Sequence, residues 1–365
     1  MLRILLLILL VVHGLIHLLG LVKAFGWAEV RALRQPIGRP MGLLWALAAL
    51  LFLIATWAML GRSDRWWIPA LAGVVLSQVL IVLHWQDARF GTVANVLLVL
   101  VIALGAVVHR FRQQYHQEAH EVGQVAMVAT ARVLREEDLA PLPAPVQRFL
   151  RKGRHVGRPV PRSLYVEFTG EIRAKDGPWM PFRTDQLNTF DPPARLFWMN
   201  ATMKALPTKG YHRLRDGHAS MHIKVLGLLP VIDAQGPEMD TAELVTWFND
   251  LCLFAPARLA DPTITWQPVD DRSATATVAH HGIRISATLL FDDQDRLVDF
   301  VSDDRYYLGP DGRSERRRFS TPVSGAFTAG GLTFPADGEA LFVLDDGPFT
   351  YIRLHTEAVA YDVVE

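Results

Sequence analysis

The chain has 365 residues, half of them hydrophobic, with 37 basic residues balanced by 37 acidic ones and a single cysteine. That length provides ample core, and the composition excludes a disulfide scaffold, a disordered tail protein and a globally basic nucleic-acid binder. The balance is an average: up to Val108 there are 8 basic and 3 acidic residues, and beyond it 29 and 34. The first part carries too few charges for a water-soluble fold.

Four apolar segments open the chain, at Ile4–Val22, Met41–Leu60, Ile68–His84 and Val93–Val108. Each is near the ~20 residues that cross a hydrocarbon core as helix, so residues 1–108 are predicted to form four transmembrane helices. Arg3 followed by leucines resembles a signal peptide, but the run exceeds ~15 residues and no Ala-x-Ala site ends it, so the segment is expected to stay in place. Trp57, Trp66, Trp67 and Trp85 fall near helix ends, where indole rings favour the membrane interface. With four spans, Arg3, Arg62, Arg65, Arg110 and Arg112 share one side, and Lys23, Arg31, Arg34, Arg39 and Arg89 the other. The even division leaves orientation open.

Polar residues within such segments are costly and need a partner. His13 and His17 lie four apart on one helix face, while His84, Asp87 and Asn95 fall at the same depth by up-and-down connectivity. Three histidines and a carboxylate suit a transition metal, and two histidines on facing helices suit haem. The spacing favours interhelical hydrogen bonding, with neutral histidines paired to backbone carbonyls or to Asn95 and Asp87, over a metal or haem site and over a proton or ion path.

Residues 109–138 read as a helical connector, solvated and ending at the proline-rich run up to Pro145. Within it His116 and His120 stand at i and i+4, but Glu118 is misplaced for a zinc-protease motif. A short helix follows through Leu150, and residues 139–365 form the second domain.

From Ser163 the period changes to two, with Leu164, Val166, Phe168 and Ile172 on one face. Further strands are expected at Arg183–Phe190, Ala194–Met203, Arg213–Asp216, His218–Val225, Thr263–Gln267, Ser273–Ala279, Ile283–Phe291, Leu297–Tyr307, Arg316–Thr328, Glu339–Leu344 and Thr350–Asp362. Turn signals between them, including Asp216-Gly217 and Pro310-Asp-Gly312, indicate an antiparallel sheet. One helix interrupts the run near residues 241–252. Its Leu244, Trp247, Phe248, Leu251 and Cys252 form an apolar stripe to cover the concave face, with Glu243, Thr246, Asn249 and Asp250 opposite. Asp240 and Glu243 have the spacing of a capping box. The fold class is therefore a membrane α-helical bundle plus an α+β domain dominated by a curved antiparallel sheet with one covering helix.

Gly-x-Ser-x-Gly, phosphate-loop, Gly-x-Gly-x-x-Gly and Cys-x-x-Cys motifs are absent from the sequence, and no catalytic residue is assigned. Asp233, Glu238, Asp240 and His222 are the polar residues a hydrolase would draw on, although Asp233 reads as a turn residue before Gly236-Pro237. The candidate ligand-binding residues are the aromatics Trp179, Phe182, Trp198, Trp247, Phe248 and Trp266.

Trp179-Met-Pro-Phe-Arg-Thr184, Gly227-Leu-Leu-Pro-Val-Ile-Asp-Ala-Gln-Gly-Pro-Glu-Met-Asp240, Trp266–Thr275 and Asp346–Tyr351 together resemble a bacterial family of unknown function over Pro143–Asp362. That family supplies no catalytic residues. The strand order with a helix laid across it is also similar to the half-barrel of LolA-like periplasmic lipoprotein carriers, which hold acyl chains. The one-face-apolar sheet, its covering helix and these aromatics lead to the expectation of a non-enzymatic, membrane-anchored protein of the bacterial cell membrane whose second domain binds a lipid or other hydrophobic ligand; the charges leave the side of that domain open, and the fold similarity tilts it toward the extracytoplasmic one. The implied partners are the lipid bilayer and a hydrophobic small molecule, with no nucleic acid. The alternatives are a membrane metal or haem protein using His13, His17 and His84, and a module that binds an envelope protein through a sheet edge.

Overall fold

The computed structural model describes residues 2–309 and 312–363. The turn expected at Pro310-Asp-Gly312 has its first two residues outside them. The chain divides into two compact units, Met1–Arg112 and Gln113–Glu365.

The first unit holds helices α1 (Leu2–Phe25), α2 (Arg39–Leu60), α3 (Trp67–Leu83), the single turn α4 (Trp85–Ala88) and the start of α5 (Gly91–Val128). Three of these, α1, α2 and α5, are long and apolar enough to cross a membrane, whereas α3 is shorter, at 17 residues. Ile8, Leu47, Val82 and Leu100 turn outward, while Leu10, Phe52, Val74 and Leu98 meet at the centre. Small residues permit close packing, as at Gly20, where a Cβ would stand 2.2 Å from the Trp45 ring.

The 38-residue helix α5 joins the expected fourth span and the connector into one element. The connector is not solvated all round: Tyr115, Ala119, Val122 and Ala126 are buried along one stripe. With two alanines among the four, the stripe has little hydrophobic contrast in the sequence.

The second unit continues with α6 (Ala144–Lys152) and strands β1 (Ser163–Ile172), β2 (Met180–Phe190), β3 (Pro193–Met203), β4 (Leu206–Arg215), β5 (His218–Val225) and β6 (Leu229–Gln235). Helix α7 (Pro237–Phe254) then leads to β7 (Thr265–Asp270), β8 (Ser273–His280), β9 (Ile283–Phe291) and β10 (Leu297–Ser302). The short strands β11 (Tyr306–Leu308), β12 (Ser314–Arg316), β13 (Phe319–Ser320), β14 (Val323–Ser324), β15 (Phe327–Ala329) and β16 (Leu332–Phe334) precede β17 (Asp337–Leu344) and β18 (Gly347–Tyr361). All pairing is antiparallel, and the main sheet runs β6-β5-β4-β3-β2-β1-β18-β17-β13-β10-β9-β8-β7. Helix α7 touches β3 to β6 in one half and β9 to β11 in the other, so the sheet curves around it as a half-barrel.

The structure corrects several sequence expectations. Two long strands, Leu297–Tyr307 and Arg316–Thr328, break into short pieces, and β6 occupies a segment that reads as loop. Asp233 is no turn residue: it lies in β6 opposite His222 of β5. Helix α7 begins at Pro237 behind Gly236, whose φ of 111° favours glycine, so Asp240 and Glu243 do not form a capping box. Asp240 instead accepts a hydrogen bond from the Ala219 amide at 2.6 Å. The face bearing Glu243, Asn249 and Asp250 is not turned to solvent, because the curved sheet encloses the helix on both sides and all three are buried.

Candidate functional site

Two polar groupings and one apolar interior are the places where chemistry is concentrated. In the first unit, α1 carries His13 and His17 with their rings edge to face at 4.8 Å. His13 Nε2 lies 2.9 Å from Asn95 Oδ1, and His17 Nε2 lies 2.9 Å from Ser77 Oγ. His17 Nδ1 donates to the His13 carbonyl at 2.9 Å, and Asn95 Nδ2 donates to Ser77 Oγ at 3.0 Å. Ser77 is thus the hub between three helices, a residue the sequence reading passed over although it interrupts an apolar helix.

His84 stands apart, bonded to the Leu80 carbonyl at 3.1 Å, because the Trp45 indole sits between it and His17. Asp87 also lies elsewhere, accepting from the Arg34 and Gln35 amides at 2.6 and 2.7 Å. The three histidines therefore do not converge as a metal or haem ligand set. Among the described residues no group of three or more His, Cys, Asp or Glu side chains is placed to hold a metal ion.

In the second unit a buried charged network fastens α7 to the sheet. Arg195 on β3 donates through Nε to Asp250 at 2.8 Å, through Nη1 to Glu243 at 3.0 Å and through Nη2 to Gln186 at 3.2 Å. Gln186 and Asn188 on β2 complete Asp250 at 2.7 and 3.0 Å. Their placement follows from the strand period: Gln186, Asn188 and Arg195 project inward where neighbours are apolar. Burial alone would raise the Glu243 carboxyl, but Arg195 and His212 outweigh it and hold the group down at about 2. Its stabilising contribution is complete above the ordinary glutamate value of 4.5 and is lost as the pH falls toward about 2. The urea concentration that unfolds the full chain in detergent is expected to fall as the pH drops across that window, and Glu243→Gln to flatten the dependence.

Of the six candidate aromatics, Phe182, Trp247 and Phe248 belong to the interior between α7 and the sheet. Trp247 Nε1 donates to the Thr189 carbonyl at 2.8 Å, and Phe248 meets Phe300 edge-on at 5.9 Å. Trp266 is half-buried beside this interior, donating to the Leu259 carbonyl at 3.2 Å. The other two lie elsewhere. Trp198 points to the opposite sheet face, its ring 6.1 Å from that of Tyr115 on α5, and Trp179 has the guanidinium groups of Arg173 and Arg353 at 4.3 and 4.6 Å from its ring. Nor do the hydrolase candidates form one cluster. His222 pairs with Asp233 at 2.9 Å in the middle of β5 and His218 faces Asp240 at 3.6 Å at its start, while Glu238 is exposed.

Surface clefts accompany the interior. One, of about 250 Å³, lies between the Asp216-Gly217 and His281 turns and the start of α7. Another, of about 400 Å³, lies between β14, β17 and β18.

An antiparallel half-barrel wrapped about a buried helix, held to it by a charged network, is the class of architecture these residues define. The model of a family of unknown function, DUF6544, matches residues 132–354, and the chain belongs to that family. This bears out the resemblance read over Pro143–Asp362. No curated protein matches the chain. Among solved structures it is similar to a LolA superfamily protein from Nitrosomonas europaea, with 12% identity over 59% of this chain and 93% of that one and a TM-score of 0.33. It is also similar to a putative outer membrane lipoprotein-sorting protein domain from Vibrio parahaemolyticus, with 8% identity, 55% and 84% coverage and a TM-score of 0.33.

Proposed function

We propose that the protein is a membrane-anchored, non-enzymatic binding protein: residues 1–108 lie in the bilayer, 109–138 form the link, and 139–365 take up a lipid or other hydrophobic molecule. The observation that carries this reading is the single apolar interior shared by both halves of the sheet and by α7, with Phe182, Trp247, Phe248 and Cys252 among its residues. Apolar surface arranged around one helix, on a scaffold that is open between its edge strands β6 and β7, suits a ligand that enters alongside that helix. The N-terminal helices support the membrane placement through their length and outward-facing leucines and valines.

Cys252, the chain's one cysteine, is a built-in reporter of that interior. Burial pushes its thiol well above the ordinary value, so it is expected to react with maleimide only when the interior opens. Native mass spectrometry of the full chain, purified gently in detergent, is expected to show a bound species of lipid mass. Adding that lipid is then expected to change the Cys252 labelling rate several-fold. A chain that repeatedly carries no adduct and a thiol whose rate no lipid alters would overturn the proposal.

A further inference from the structure

Within the second unit, α5 and β4 lie side by side and run in the same direction. The Tyr115 ring meets that of Tyr211 at 5.8 Å, Glu118 accepts from Tyr211 Oη at 3.1 Å and from Arg213, and Glu121 accepts from Arg215 at 2.8 Å. The Leu206 end of β4 is therefore the end of this unit at which the chain enters through Gln113, coming from its apolar helices.

That end carries the turn between β3 and β4, Lys204-Ala205, and the turn between β5 and β6, Leu226-Gly227. The two are neighbours, since the Leu226 amide donates to the Pro207 carbonyl at 2.7 Å. Around them Leu206, Leu228, Leu229 and Val231 are 40 to 58% exposed. Lys204 stands in the first turn, with Lys209 and Lys224 paired across the strands behind it and Lys209 Nζ donating to Asn200 Oδ1 at 2.7 Å, and no carboxylate occurs within 203–209 or 224–232.

The turn backbones add an independent observation. Lys204, Ala205 and Leu226 have φ of 48°, 65° and 55°, in the left-handed region that tight hairpins normally fill with Asn or Asp followed by Gly. The far end of the same strands follows the usual chemistry, with Asp216-Gly217 at 54° and 77°. Lysine and leucine are thus held at the near tips against local backbone preference, the kind of cost that persists where a surface is used.

We infer that these two hairpin tips dock on the bilayer surface, the leucines entering the headgroup region and the lysines facing anionic phospholipid. The inference rests on the membrane-anchored reading above. It is tested with the full chain in nanodiscs containing phosphatidylglycerol and nitroxide-labelled lipid, using an environment-sensitive dye on one cysteine introduced into the Cys252→Ala background. The three positions are Leu228→Cys at the tip, His218→Cys at the far end of β5, and Leu47→Cys on the outward face of α2. Nitroxide is expected to quench the dye at positions 47 and 228 about twofold or more, as burial in the headgroup region requires, and to leave position 218 unchanged. Quenching at 47 with position 228 behaving like 218 overturns the docking and leaves the membrane reading standing. Absence of quenching at 47 overturns both. A blue-shifted but unquenched dye at 228 means that a protein surface covers the tips, and also overturns the inference.

Discussion

Replacing Arg195 with methionine is expected to destabilise the β unit by about 3–5 kcal/mol, the range for removing one partner of a buried ion pair. The reason is what the substitution leaves behind. Glu243 and Asp250 are both buried, their side chains 3% and 9% exposed, and Arg195 is the cation that contacts both carboxylates. Neutral donors remain for Asp250 from Gln186 and Asn188, and His212 stands 3.7 Å from Glu243. None replaces a guanidinium that serves the two acids at once. In Arg195→Met, Glu243 is expected to relieve its stranded charge by taking up a proton, so its contribution to stability, which does not vary with pH near neutrality in the parent, becomes pH-dependent there. Cys252 labelling along a urea titration of the detergent-solubilised chain reads this out from within the β unit. A triple replacement, Arg195→Met with Glu243→Leu and Asp250→Leu, is expected to recover much of the loss, because an apolar cluster of similar volume carries no desolvation penalty. If the single variant unfolds at the parent's urea concentration, the network does not hold α7 in place.

That network also marks the limit of what was legible in the sequence. Period-two alternation marks β1, β8 and β9 because each has one face in the core and the other nearer water, which writes burial directly into residue order, whereas β3 is buried on both faces from Ala194 to Met199 and carries a mostly apolar run instead. Helix α7 defeated the same logic. Its apolar stripe is plain in residue order, but the polar face opposite has the same pattern whether it meets water or a buried arginine, since amphipathicity does not distinguish the two. Arg195 lay unremarked within an expected strand, and only the fold brings it to residues 48 and 55 positions away. In the helical segments the histidines and Asn95 stood out as polar residues among apolar ones. Their actual hub, Ser77, did not, because a small hydroxyl barely perturbs an apolar run. Trp198 and Phe197 show a further limit: adjacent strand residues face opposite sides, so aromatics grouped by type in the sequence separate in space.

Gly170→Ala is expected to damage the fold nearly as severely, for a reason the alternation in β1 already hints at. Leu164, Val166, Phe168 and Ile172 point inward, and the position between the last two is held by Gly170. Glycine inside a strand commonly marks a close approach of another chain segment. Here a Cβ would stand 2.0 Å from the Arg353 carbonyl oxygen on β18 and 3.0 Å from the Phe182 ring. The ring can turn, but the carbonyl belongs to the backbone of the neighbouring strand, so alanine forces β1 and β18 apart. That pair is the seam joining the half of the sheet from β6 to β1 to the half from β18 to β7, and its register already shifts between Glu167 and Phe168. Opening it loosens the curvature that encloses α7. The expected loss is about 3 kcal/mol, the upper end of the range for overpacking a well-filled site. Gly282→Ala is the comparison: no atom lies within 4 Å of its Cβ, and its cost arises from the φ of 80° alone, about 1 kcal/mol. Both variants are followed by Cys252 labelling against urea. Equal losses would show that the seam has room to spare. A larger loss at Gly170, with faster thiol labelling before global unfolding, would show that the halves part there first and that the interior is reached by opening the seam.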